Sequence, residues 1–123
     1  HSPGTELEAL ALALAFARRI DKLPLPCRSS PGFLVNRVLV PYLFEAMHAA
    51  AEGVPLAVID RAALDFGMPM GPVELADVVG LDVCRHVGRI VDEALGRRPP
   101  DLARLEERVA AGKLGRKSGE GFY

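Results

Sequence analysis

The sequence predicts an all-α domain, an array of about five to six helices with one short strand or extended linker near its start. Three observations lead there. Apolar residues return every three or four positions through most of the chain, which is the repeat of a helix with one buried face. Proline and glycine punctuate those stretches, Pro just inside the starts and Gly just past the ends. Only residues 23–28 have strand character, being short, apolar and broken by Pro24 and Pro26.

The elements follow in order. Thr5 is a good N-cap, and Glu8 three residues on completes a capping box. An Ala- and Leu-rich helix runs to about Ile20 and closes at Asp21-Lys22. Residues 23–28 read as an edge strand or an extended linker. Ser30 caps and Pro31 opens the next helix, whose periodicity reaches Glu52 before Gly53 ends it. Pro41 lies inside, and a mid-helix proline removes a hydrogen bond and bends the helix, so a kink is expected there. Val54-Pro55 starts a shorter helix over 56–66, stopped by Gly67. Met68-Pro69-Met70-Gly71-Pro72 is a stiff connector. Pro72 opens a helix over 73–79, and Gly80 separates it from an amphipathic helix over 81–95, ended by Gly96. Pro99-Pro100-Asp101 starts a last helix to Ala111, stopped by Gly112. Residues 113–123 carry Gly and Ser punctuation and no helical period. The chain shows no internal repeat and no low-complexity segment.

Composition narrows the function. The chain has 123 residues, half of them hydrophobic, with 15 Lys and Arg against 16 Asp and Glu. That length and apolar content support one domain with a real core. The near-balance of charge argues against nucleic acid as a partner, which calls for a basic excess or stripe. Low aromatic content without Trp argues against a base-stacking platform. Cys27 and Cys84 do not make a disulfide framework and read as small buried hydrophobes, which fits a reducing, cytoplasmic setting. No uninterrupted apolar stretch is long enough to span a membrane. His1-Ser2-Pro3-Gly4 has no features of a signal peptide and looks like a tag remnant, as if the chain were cut from something larger.

The candidate chemistry begins with Asn36. On a helix its neighbours at three and four positions are Gly32, Phe33, Leu39 and Val40, all without polar side chains. A side-chain amide in such company costs a few kcal/mol unless something hydrogen-bonds to it. It is either a core asparagine satisfied by backbone or an amide held rigidly on a helix and aimed at a ligand. The connector 68–72 offers two adaptable methionines, either lining an acyl pocket or merely filling the core. Glu74, Asp77 and Asp82 form a small acidic group whose bland role is to complement helix dipoles. His48 and His86 lack partners at metal-ligand spacing, so no metal is expected. The tail from Gly115 to Gly121 offers backbone amides and two cations that could hold an anion. No Gly-x-Gly-x-x-Gly fingerprint occurs, so the chain shows no dinucleotide site of its own.

Three motifs then carry a resemblance. Pro31-Gly32-Phe33-Leu34-Val35-Asn36-Arg37, the run Met70-Gly71-Pro72-Val73-Glu74-Leu75-Ala76-Asp77-Val78-Val79-Gly80-Leu81-Asp82, and Gly115-Arg116-Lys117-Ser118-Gly119-Glu120-Gly121-Phe122-Tyr123 resemble the C-terminal domain of the L-3-hydroxyacyl-CoA dehydrogenases, in that family's order and spacing. The resemblance implies a helical array like the C-terminal domain of 6-phosphogluconate dehydrogenase over residues 31–123. Residues 1–30 are then the tag remnant plus the last helix and strand of, or hinge to, a missing NAD-binding domain. It implies hydride transfer from a 3-hydroxyacyl-CoA to NAD in fatty-acid β-oxidation. The general base, a His oriented by a Glu, and the NAD site belong to the missing domain, so this chain alone should be inactive. By the resemblance Asn36 is the helical domain's catalytic contribution, bonding near the reacting oxygen or the catalytic His. Met70 and Pro72 border the acyl pocket, and the domain supplies a homodimer interface. Two other readings stay open: a helical scaffolding module holding a partner protein, and a related dehydrogenase acting on a sugar acid. The environment of Asn36 separates the scaffold from the enzyme.

Overall fold

A computed structural model of the chain describes residues 1–96 and 102–123. Its helices are α1 (Leu7–Arg19), α2 (Val35–Ala51), α3 (Leu56–Phe66), α4 (Pro72–Val79), α5 (Leu81–Ala94) and α6 (Ala103–Ala110), followed by a single 3-10 turn at Arg116–Ser118. The expected helix start at Pro99-Pro100-Asp101 lies outside the described residues.

The buried stripe of α2 organises the domain. Val40, Leu43, Phe44, Met47 and Ala50 recur at helical spacing on one face and are all buried. That face meets α3, α4, α5 and α6. Leu81, Leu105, Val73 and Val91 are fully buried against it, each contributing about 1.5–3 kcal/mol through removal from water. Helices α2 and α5 meet at Gly88, where any Cβ would overlap the tip of the Phe44 ring. Pro41 falls mid-way along α2, so the Arg37 carbonyl lacks its usual ladder donor.

Four expectations are corrected. α1 starts at Leu7 with no side-chain cap, because Thr5 Oγ1 turns back to accept from the Ser2 N–H at 3.0 Å. No strand occurs among the described residues: residues 22–28 are an extended linker whose Cys27 carbonyl accepts from the His1 amino group at 2.7 Å, and the one β-bridge is Gly115 with Glu120. α2 does not begin at Pro31. Gly32 and Phe33 both have positive φ (76° and 46°), which turns the chain before the helix can start. Cys27 is only half-buried, unlike the buried Cys84.

The last segment is more ordered than its composition suggests. Phe122 is buried in the main core, although nothing in its neighbourhood repeats at helical spacing. Helix α1 shows the opposite behaviour. It contributes no buried residue and packs on no other helix among the described residues. Leu12 and Phe16 are 72% and 62% exposed.

Candidate functional site

Asn36 sits in the first turn of α2, its backbone N–H donating to the Gly32 carbonyl at 3.1 Å. The turn that sets its position is pressed onto α5: a Cβ on Gly32 would stand 2.8 Å from a methyl of Val91. The Asn36 side chain is half-buried, and no hydrogen bond from the described residues reaches its amide. It is therefore not an asparagine sealed in the bundle with both ends bonded. An amide mounted on a packed helix and still unpaired is available to a ligand or another polypeptide.

An apolar groove of about 800 Å³ lies between α2 and α3, and Asn36 is not among its lining residues. Its walls include Leu34, Val38, Leu39, Tyr42 and Ala46 from α2 and the turn before it, with Ile59, Ala63 and Phe66 from α3. Glu45 is the one charged residue among the described lining. Volume and lining are those of a small-molecule cleft. Pro72 and Met68 close one end. Met70, singled out with Pro72 from the sequence, is half-buried and lies outside the groove lining. Phe66 is 86% exposed at the rim.

A carboxylate positions that end. α4 begins Gly71-Pro72, so no Ser, Thr, Asp or Asn precedes it to cap the exposed amides. Asp60, reaching across from α3, does so instead: Oδ1 accepts from the Val73 N–H at 2.7 Å and Oδ2 from the Glu74 N–H at 3.0 Å. Gly71 must be glycine, since any Cβ there would overlap the Asp60 carboxylate. Tyr123 Oη donates to Oδ2 at 2.8 Å, and burial with that bond pushes the phenol up to about 12. The sequence did not single out Asp60. The signal was present, however, in a proline-started helix with no local cap.

The tail motif resolves into anchors rather than an anion cradle. Asp77 accepts the Phe122 and Tyr123 N–H groups at 2.9 and 3.0 Å. Gly115 and Gly121 lie so close to Asp77 that a Cβ on either would overlap it. Arg116 pairs with Glu74 at 2.6 Å, Lys117 pairs with Asp82, and Lys113 pairs with Glu120. The tail cations are thus engaged by carboxylates of their own chain. The Lys117 hydrogen bond holds Asp82 below the usual carboxylate range, and Lys113 does the same for Glu120. A second cavity of about 500 Å³, lined by Asp60, Glu74, Asp77, Arg116 and Tyr123 among others, lies between α3 and the tail. Burial raises the Cys84 thiol to about 11, so it is protonated at neutral pH and unreactive as a nucleophile. His86 is exposed and His48 half-buried. No three potential metal ligands meet among the described residues, and no described helix is long and apolar enough to cross a membrane.

The order and geometry of these motifs have a counterpart. The family model of the 3-hydroxyacyl-CoA dehydrogenase C-terminal domain matches residues 32–123. The chain belongs to this family. The chain is 43% identical, over 97% of its length, to a probable 3-hydroxybutyryl-CoA dehydrogenase of Deinococcus radiodurans, and spans 44% of that relative. It is 39% identical over the same share to the fatty acid oxidation complex subunit alpha of Shewanella putrefaciens, spanning 17% of it. Among solved structures it resembles FadB2 of M. tuberculosis, with a TM-score of 0.91 at 35% identity over 100% of this chain and 45% of that one. The 3-hydroxybutyryl-CoA dehydrogenase of Escherichia coli K12 superposes with a TM-score of 0.88 at 40% identity, the match spanning 27% of its chain. The chain thus spans less than half the length of these relatives.

Proposed function

We propose that this chain is the helical, cleft-forming half of an NAD-dependent 3-hydroxyacyl-CoA dehydrogenase of fatty-acid β-oxidation, working in the cytoplasm as a homodimer. The observation that carries the reading is the unpaired Asn36 amide within Pro31-Gly32-Phe33-Leu34-Val35-Asn36-Arg37. Its N–H groups are suited to donate to the oxygen that gains charge as hydride moves at carbon 3, or to hold a general base in line with it. A donor pre-set on a helix stabilises that charge without reorganising at the moment of reaction. Pro72 and the connector bearing Met70 would border the acyl chain and exclude water from it.

The residues described here do not fit a dinucleotide. Among them there is no strand, glycine turn and helix in sequence, the unit that holds a pyrophosphate. NAD and the His–Glu base would come from the portion that the longer relatives carry in addition. The exposed apolar face of α1 supports the same division, with residues 1–30 as the remnant or hinge of that portion.

The test is a chimera. With NAD and 3-hydroxybutyryl-CoA, the chain alone should give no rise in NADH absorbance. Grafted in place of the matching half of the Deinococcus relative, it should restore turnover. Asn36→Ala in the chimera should then lower kcat by about 10²–10³-fold. Turnover by the chain alone, or an Asn36→Ala chimera as active as its parent, refutes the proposal.

A further inference from the structure

Local interactions hold the first turn of α2 only weakly. No side chain among the described residues caps its N-terminus, and Pro41, inside the helix, cannot donate to the Arg37 carbonyl. Yet the Asn36 amide is mounted on that turn. The two residues before α2 that turn the chain, Gly32 and Phe33, are both left-handed, with φ of 76° and 46°. Two hydrogen bonds close the backbone around them. The Phe33 N–H donates to the Ser30 carbonyl at 2.9 Å, and the Asn36 N–H donates to the Gly32 carbonyl at 3.1 Å. A left-handed phenylalanine is strained, and such strain persists only where the surroundings impose it.

The imposing contact comes from α5. The place a Cβ would take on Gly32 lies 2.8 Å from Cγ2 of Val91 and 3.1 Å from Cγ of Arg37. Val91 is 1% exposed and belongs to the main core. A valine on a helix has essentially one χ1 rotamer, and a close-packed interior leaves its methyl no room to retreat. The contact is therefore a hard stop, and a residue without a side chain is what lets the turn rest on it.

We infer that Val91 and Gly32 are positioning residues for Asn36: a core methyl of α5 seats the Gly32 turn, and the seated turn sets the bearing of the amide. The link is covalent and hydrogen-bonded throughout. Val91 stops Gly32, the Gly32 carbonyl holds the Asn36 N–H, and the Asn36 side chain follows its own backbone. The effect on rate rests on the catalytic reading of Asn36 given above, whereas the seating itself does not.

The simpler account is that position 32 is glycine only because its φ is positive, and that Val91 only fills the core. Two measurements separate the accounts, one of them without turnover. In the chain itself, 15N relaxation reads the order of the Asn36 backbone and side-chain amides. Val91→Ala removes the stop, so the Asn36 order parameter should fall from about 0.85 to below about 0.6 while α3 and α4 keep theirs. In the chimera, Val91→Ala should lower kcat by about tenfold or more with KM unchanged, because a slightly misplaced catalytic group is costly. With Asn36→Ala already in place, it should lower kcat no further. Gly32→Ala tests the same contact from outside the core. It drives the turn off Val91 and should lower kcat as well, and adding Val91→Ala makes room for the added methyl and should recover about threefold or more. An Asn36 amide as well ordered in Val91→Ala as in the native chain overturns the inference. So does a Val91→Ala loss in kcat of the same size with and without the Asn36 side chain. Should Asn36→Ala alone leave kcat unchanged, the catalytic reading is what fails, and the relaxation measurement still decides the seating.

Discussion

At the scale of the residue, Asp60 gathers more polar contacts than any sequence pattern announces. It is a buried carboxylate that makes no ion pair among the described residues and is held by two backbone amides and one phenol. Asp60→Ala leaves both α4 amides uncapped and the Tyr123 hydroxyl unpaired. A loss of about 2 kcal/mol or more is expected in urea denaturation, at the upper end for a helix cap. Tyr123 adds a pH signature. Its folded pKa, raised to about 12, lies above its unfolded value near 10. The stability linked to it is therefore fully present below pH 10 and is lost as the pH climbs through 10 toward 12. Denaturation followed across that window should show the decline in the native chain. Tyr123→Phe should flatten the part that Tyr123 contributes, leaving the part due to Tyr42, whose pKa is also raised.

At the scale of the element, two helices meet only because one residue is small. Gly88 on α5 admits the Phe44 ring of α2, and Gly88→Ala should cost about 1–3 kcal/mol through overpacking. The tail is an element of a different kind, held by charged and polar anchors around one buried aromatic, Phe122. The depressed pKa values of Asp82 and Glu120 mean their stabilisation is present above about pH 4 and is lost as the pH falls through the folded values. Lys117→Met should remove the Asp82 part of that acid dependence, which is checked by comparing thermal melts at pH 3 and pH 6. The sequence showed the tail motif as a pattern and suggested an anion site. It could not show that Glu74, Asp77 and Asp82, which lie 35 or more positions before their partners, are what the tail binds.

At the scale of the whole molecule, the chain divides into a packed array and an unsupported arm. Helix α1 and the linker after it lend no side chain to the core. Removing residues 1–29 should therefore change stability by less than about 1 kcal/mol, a Tm shift below about 4–8 °C for a domain of this size. A large fall in Tm on differential scanning would contradict that. The exposed apolar surfaces of α1 and of the α2–α3 groove also predict self-association. Light scattering at high micromolar concentration should report dimers or larger species, and a clean monomer would count against a homodimer interface on this domain.

Local rules sufficed wherever a boundary depends on adjacent residues. Helix α3 ends where Gly67 adopts its left-handed turn, α4 starts at Pro72, and α5 follows directly on Gly80. Those choices rest on φ restrictions that act within a few bonds, so the sequence by itself determined the helical class, most of the helix limits and the family motifs. The tertiary structure alone decided the rest. It left residues 22–28 an extended linker outside any sheet, and it shifted the start of α2 through the turn at Gly32 and Phe33. It also supplied the α4 cap from Asp60, placed Phe122 in the core and left the Asn36 amide unpaired. The Asp60 cap and the burial of Phe122 depend on groups brought together from separate parts of the chain, and no spacing in the sequence encodes a contact formed only once the helices have packed.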